Sequence, residues 1–156
     1  MDNETGFPLS LACGIRYNCR MTHAAPKIRL YVPERFSPGH TVTLSPQQSH
    51  YVAHVMRCGQ GDHLLLFNGQ DGEWVARIEQ HHKKHTALFL ERQNRPQEPS
   101  PDLWLAFVPI KGKNELVVEK AVELGVSRII PVITRFAVVR SVNMEKLTAH
   151  AVEAAE

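Results

Sequence analysis

Cysteine is scarce in this sequence, and what there is does not pair. Cys13, Cys19 and Cys58 are an odd set with no CxxC spacing. A disulfide framework and a four-thiolate zinc site are therefore not indicated, and a reducing, cytoplasmic setting fits best. Long apolar runs are missing as well: nothing approaches the roughly 18 apolar residues that span a bilayer, which argues against a membrane role. An excess of charge of one sign is nearly absent, with 18 Lys and Arg against 16 Asp and Glu and a net charge of +2. That balance permits a nucleic-acid partner without demanding one. The amino terminus lacks the basic residues of a secretion signal, carrying Asp2 and Glu4, with Pro8 and Ser10 breaking its apolar part. Residues 1–26 are expected to be a disordered extension, with Met21 marking an alternative start before the first convincing strand.

What the chain does contain is 156 residues that are 43% hydrophobic, enough for one ordinary domain or two small ones. From residue 28 the pattern turns to short strands: IRLYV (28–32), TVTL (41–44), HLLLF (63–67), EWVARI (73–78) and TALFLE (86–91), separated by Pro-Gly, Gly-Asp and Asn-Gly turns. Five strands at this spacing suggest a small barrel over residues 27–93. One helix interrupts them at 45–59, with Ser45 as N-cap, Pro46 in the first turn, Gln48 completing a capping box and Gly59 as the stop. Its apolar stripe is Val52, Val55 and Met56.

A polar, proline-rich stretch follows, and residues 94–101 read as a linker. Beyond it, LWLAFVP (103–109) is apolar at nearly every position, the pattern of a strand buried on both faces in a parallel sheet. A helix over 115–124 with Asn114 as N-cap and Gly125 as stop, then SRIIPVI (127–133), completes a βαβ unit with an expected right-handed crossover. The segment 144–156 is an amphipathic helix with Leu147, Ala151, Ala154 and Ala155 on one face. Two buried strands and two helices cannot cover both faces of a parallel sheet, so residues 102–156 are expected to be the first part of a larger α/β domain.

Candidate sites are few, and each has a plainer reading. Lys111, Gly112 and Lys113 lie where a strand's carboxyl end meets a helix amino terminus, a position suited to anions, although a solvated turn has the same composition. In HHKKH (81–85), Lys83 and Lys84 are placed for phosphate contact or for an exposed hairpin turn, and the three histidines lack metal-ligand spacing. His50 and His54 are an i, i+4 pair without the Glu of H-E-x-x-H or a third ligand, so no metal site is expected. Arg57 either complements a helix dipole or faces RNA. Lys120 and Glu123 read as a structural i, i+3 pair. Arg135 follows the second buried strand at the functional edge of the sheet.

The order of these segments resembles the bacterial ribosomal RNA small-subunit methyltransferases that act on N3 of a uridine. The resemblance spans about residues 28–156 and rests on IRLYV, on SHYVAHVMRCGQGDHLLLFNGQDGEWVARI (49–78), on VPIKGKNELVVEKAVELGVSRIIPVIT (108–134) and on the helix ending AVEAAE. It implies a two-domain α+β and α/β protein: an amino-terminal PUA-like β-barrel that holds RNA, then the first part of a SPOUT domain, a trefoil-knotted fold that binds S-adenosylmethionine and dimerises when full length. It further implies 16S ribosomal RNA as partner, Lys111 and Arg135 near the reacting base, and Arg29, Arg57, Lys83, Lys84 and Lys113 against RNA.

Two departures qualify that expectation. Members usually carry Glu-Arg after the second SPOUT strand, where this chain has Arg135-Phe136. The family's glycine-rich cofactor loops would lie beyond Glu156, so no cofactor-binding residue is assigned in this chain, which is expected to be inactive alone. A non-catalytic RNA-binding adaptor is the alternative. In the implied chemistry uracil N3 must lose its proton, and the protein orients the base and stabilises the anion with donors such as Lys111, Lys113 and Arg135.

Overall fold

The computed structural model describes residues 7–8, 26, 28–82 and 85–156. Most of the 1–26 extension, and the pair Lys83 and Lys84, lie outside the described residues. Phe7–Pro8 form a short strand, β1, whose partners are Ile129 and Arg128 in antiparallel register. The chain divides into two units, the first ending at Gln97 and the second joining β1 to the residues from Glu98 onward.

In the first unit the strands are β2 (Arg29–Tyr31), β3 (Thr41–Thr43), β4 (His63–Phe67), β5 (Glu73–His82) and β6 (His85–Arg95). They form one sheet in the order β2-β4-β5-β6-β3, with β2 and β4 parallel and the other pairs antiparallel. The period-2 alternation of the sequence places Leu64, Leu66, Ala76, Ile78, Leu88 and Leu90 on one face, where all are fully buried. Among the described residues the expected barrel is an open half-barrel, with β2 and β3 at the two ends of the sheet. Leu30 and Val42, from these two edges, nevertheless share one core cluster with Val52. The curl comes from β5–β6, whose register slips between Glu73 and Trp74, Val75 and Ala76, and Ile78 and Gln80; each slip adds bend and twist. This hairpin also outruns its expected strands at 73–78 and 86–91, pairing out to His82 with His85 and back to Glu73 with Arg95. Backbone ladders do not require apolar side chains, so polar sequence conceals their length, and the linker expected from residue 94 begins later.

The turn between β4 and β5, Asn68–Gly72, holds a connected group of polar side chains. Asn68 accepts from the N–H groups of Gln70 and Asp71 at 2.8 and 2.7 Å and donates to the Glu34 carbonyl at 2.7 Å. The Asp71 carboxylate accepts from the Phe36 N–H at 2.9 Å and from Asn68 at 2.7 Å, and pairs with Arg35 at 3.1 Å. The Asp71 carbonyl takes the Trp74 indole N–H at 2.8 Å and the Gln93 amide at 2.9 Å.

The second unit holds β7 (Trp104–Phe107), α2 (Asn114–Glu123), β8 (Arg128–Pro131) and α3 (Met144–Ala155). β7 and β8 are parallel, and β1 lies on the far side of β8. Helix α2 ends as the sequence requires: Gly125 takes φ 80°, and the N–H groups of Gly125 and Val126 reach back to the carbonyls of Val122 and Ala121, each at 2.9 Å. At its other end Lys113 is the cap and Asn114 is already helical, with its side-chain oxygen accepting from the Ile110 N–H at 2.7 Å. Val118, Ala121 and Val122 of α2 and Leu147, Ala151 and Ala155 of α3 are buried, and Lys146 of α3 bonds Glu115 of α2. Strand β7 departs from the expected burial on both faces. It alternates instead, with Trp104 55% exposed, because among the described residues only α2 and α3 supply a covering helical layer. No helix of the described residues is long and apolar enough to cross a membrane.

Candidate nucleic-acid interface

At the carboxyl edge of the second unit's sheet the parallel register pairs Phe107 with Pro131. Lys111 and Arg135 each follow four residues beyond those paired ends, so topology brings both loops to the same edge. Lys111, Gly112 and Lys113 form the turn into α2, with Gly112 at φ 71°, and all three are exposed. Their tightness follows from the Asn114 bond to Ile110, which ties the loop to the first helical residue. Arg135 opens a turn closed by the Ala137 N–H to the Thr134 carbonyl at 3.1 Å, and its guanidinium carbon lies 5.8 Å from the Phe136 ring centre. Phe136 itself is 88% exposed. Among the described residues Lys111, Lys113 and Arg135 make no ion pair, whereas Lys120 is held by Glu119 at 2.7 Å and by Glu123 at 2.9 Å. The hydrogen bonds that Lys120 donates to those two carboxylates raise its pKa above the ordinary value, and Lys120 in turn lowers that of Glu119. The chemistry available at this edge is thus three uncommitted cations around two loop ends, without a carboxylate or imidazole in the turns themselves.

In the half-barrel the basic residues divide differently. Arg29 is engaged internally: its Nε donates to Glu73 at 2.9 Å, and its guanidinium carbon lies 3.8 Å from the centre of the Phe67 ring. Glu73 is buried and is further satisfied by Asn94 at 2.6 Å, so Arg29 neutralises a carboxylate that would otherwise be costly to bury.

Arg57 sits at the end of the helix expected over 45–59. That helix is in fact two pieces, α1 (Pro46–His50) and a π-helical turn, Tyr51–Val55. The capping box forms as expected, the Ser45 side chain accepting from the Gln48 N–H at 3.2 Å and Gln48 reaching back to the Ser45 N–H at 3.3 Å. Three inward contacts anchor the segment. Gln48 donates to the Tyr31 carbonyl at 2.7 Å, the buried Ser49 hydroxyl accepts from the Thr86 N–H at 3.1 Å, and Val52 is wholly buried in the core. The wider ladder then closes with the Met56 N–H on the Tyr51 carbonyl and the Cys58 N–H on the Val52 carbonyl, each at 3.0 Å. The stop is not Gly59: Arg57 itself takes the left-handed conformation, φ 57°. Burial of Cys58, with Asp62 near by, pushes its thiol pKa up, away from a reactive thiolate.

The sequence has no signal for the π-turn or for the Arg57 conformation, since the side chain at that position is not one that favours positive φ. The apolar stripe expected from Val52, Val55 and Met56 does not form either: Val55 and Met56 are 59% and 38% exposed. The π-turn rotates them out and leaves Val52 alone in the core. Tyr51, which no sequence motif singles out, is turned to the surface with them. No group of three or more metal-ligand side chains occurs among the described residues.

Two family models match the chain in succession: an RNA methyltransferase PUA domain over residues 44–89 and an RNA methyltransferase domain over 96–156. The chain is 38% identical over 130 residues to ribosomal RNA small subunit methyltransferase E of Rickettsia conorii, a match covering 82% of this chain and 53% of that protein. Among solved structures it is similar to ribosomal RNA small subunit methyltransferase E from Neisseria gonorrhoeae bound to S-adenosyl methionine. There the TM-score is 0.74 and the identity 26%, over 83% of this chain and 55% of the other. It is also similar to a methyltransferase from Legionella pneumophila in complex with the same cofactor, with TM-score 0.70 and 33% identity, over 83% and 57% of the two chains. The chain therefore spans about half the length of these relatives.

Proposed function

Because this chain belongs to the family of RNA methyltransferases in which a PUA domain precedes the methyltransferase domain, we propose that it serves S-adenosylmethionine-dependent methylation of N3 of a uridine in 16S ribosomal RNA. The observation that carries the reading is the pair of loop ends at one sheet edge, where Lys111, Lys113 and Arg135 stand exposed and without ion-pair partners among the described residues. Uracil N3 becomes a nucleophile only as an anion. Cations placed beside the carbonyl oxygens that flank N3 stabilise that anion and hold the base in line. Lys111 and Arg135 take that role, while Lys113, Arg57, Lys83 and Lys84 hold the RNA backbone. Arg29, committed to Glu73 and Phe67, supports the half-barrel instead.

When bound, the cofactor supplies an electrophilic methyl on a sulfonium. The cleft of about 360 Å³ along α2 and α3 does not fit it: Glu119, Glu123, His150 and Glu153 line it with Ala154, leaving no apolar slot for an adenine. We assign no cofactor contact to that cleft and propose that this stretch alone does not transfer methyl groups. Titration calorimetry of the 156-residue chain with S-adenosylmethionine is expected to show no saturable heat; saturable binding would overturn that part of the proposal.

In an enzyme extended to the length of its relatives, which we propose acts as a homodimer, Lys111→Ala and Arg135→Ala are each expected to slow methylation by roughly a hundredfold, the usual cost of losing one preorganised donor. Thermal midpoints should not move, because both side chains are exposed. An unchanged rate for either variant removes that residue from the site.

A further inference from the structure

Arg57 is the only non-glycine residue among those described that takes positive φ. At a helix end this position belongs ordinarily to glycine, because a side chain there meets the backbone. Strain of this kind persists where the surroundings impose it, and it points to a use for the side chain held there. The surroundings here are the anchored α1 and π-turn. Gln48, Ser49 and Val52 face inward, while His50, Tyr51, His54, Val55, Met56 and Arg57 are exposed. The His50 and His54 rings lie against each other, their centroids 4.6 Å apart and their planes tilted by 41°. Tyr51 is 41% exposed beside them in sequence. From Arg35 to Gly61 the chain contains no Asp or Glu.

We propose that this face, with His50, Tyr51 and His54 as flat surfaces and Arg57 as the cation, binds single-stranded RNA by stacking unpaired bases beside a backbone phosphate. The inference rests on the RNA-binding part of the proposed function and specifies where and in what form the RNA is held. Single-stranded RNA is the occupant favoured because unpaired bases offer π-faces to aromatic side chains, whereas the bases of a duplex are already stacked on each other. Arg57, with no Asp or Glu in the helix and π-turn before it and with the Asp62 carboxylate engaged by the Gly59 N–H at 2.8 Å, complements a polyanion. π-Helical turns are rare and concentrate at functional sites; here the turn also exposes Val55 and Met56, which follow the two histidines in sequence.

The conformation of Arg57 supplies a test in which loss of binding cannot be mistaken for unfolding. Arg57→Gly relieves the positive-φ strain, so the variant is expected to melt higher than the parent chain. Anisotropy titration of the 156-residue chain with a labelled single-stranded RNA of mixed sequence should nevertheless show binding weakened by roughly fivefold to tenfold, with the log–log salt slope reduced by about 0.7, as for one lost phosphate contact. Tyr51→Ala should weaken binding roughly tenfold, and a blunt RNA duplex should bind less well than the single strand. No RNA binding by the parent chain would sink both this inference and the RNA-binding reading beneath it. Binding by the parent that Arg57→Gly and Tyr51→Ala leave unchanged would leave that reading standing and remove this face from it. A duplex bound as tightly as the single strand would overturn the stacking. Variants that change self-association in sedimentation while sparing RNA affinity would assign the face to protein contact and overturn the inference.

Discussion

Gly72→Ala is expected to destabilise the half-barrel by about 2–5 kcal/mol, enough to unfold much of a small domain's population. Two effects combine at this position. Gly72 takes φ 79°, where an alanine costs about 1–2 kcal/mol. A Cβ there would also lie 2.2 Å from the Arg95 carbonyl oxygen, 2.8 Å from the Gln97 nitrogen and 2.8 Å from the Pro96 carbonyl carbon. All three are backbone atoms, so relief requires moving the end of β6, and overpacking of that kind costs about 1–3 kcal/mol more. Gly39 provides the control: its φ is 75°, but nothing lies within 4 Å of where a methyl group would stand, so Gly39→Ala carries the strain alone, about 1–2 kcal/mol. Urea unfolding followed by circular dichroism compares the two. Equal losses would show that β6 yields freely and that the close approach at Gly72 is not a constraint.

Removing the Asp71 carboxylate is expected to have the next largest effect. Its side chain is 15% exposed and accepts from the Phe36 N–H and from Asn68 while pairing with Arg35. Hydrogen bonds to a charged group contribute about 1.5–3 kcal/mol each, so Asp71→Ala should cost about 2–4 kcal/mol, with part of the loss recovered by water entering the turn. The same geometry sets a pH dependence. The Phe36 N–H, then Asn68 and Arg35, hold the Asp71 pKa below its ordinary value of 3.8, against the opposing effect of burial. A lowered folded pKa contributes stability that is present above the unfolded value and is lost as pH falls through the folded value. Thermal midpoints should therefore drop below about pH 4, and Asp71→Asn, which cannot titrate, should lose that component of the slope. An identical acid slope in the two proteins would remove Asp71 as its source.

Much of the architecture is legible in the residues because it depends on local patterns. Leu64, Leu66, Leu88 and Leu90 alternate because a strand has two faces, the capping box from Ser45 to Gln48 satisfies free N–H groups of the first turn, and Gly125 ends α2 in the conformation only glycine takes cheaply. The placement of Lys111 and Arg135 at strand carboxyl ends follows from the same reading, as the βαβ order dictates it. Other features were decided by contacts distant in sequence. The open edge between β2 and β3 depends on where register slips bend β5 and β6, and no single strand encodes a slip. The charge of Arg29 points to RNA, yet Glu73, 44 residues away, holds it. The π-turn and the left-handed Arg57 arise because Gln48, Ser49 and Val52 are fixed to β2, β6 and the core at once, leaving the chain after them one way to close. By itself, then, the sequence determined the strands, the helices, their order and the sheet edge that carries the basic loops, all of which depend on neighbours a few residues apart. Only the tertiary structure decided which cations remain free and which face of the π-turn meets solvent, because those depend on partners that folding brings together from distant parts of the chain.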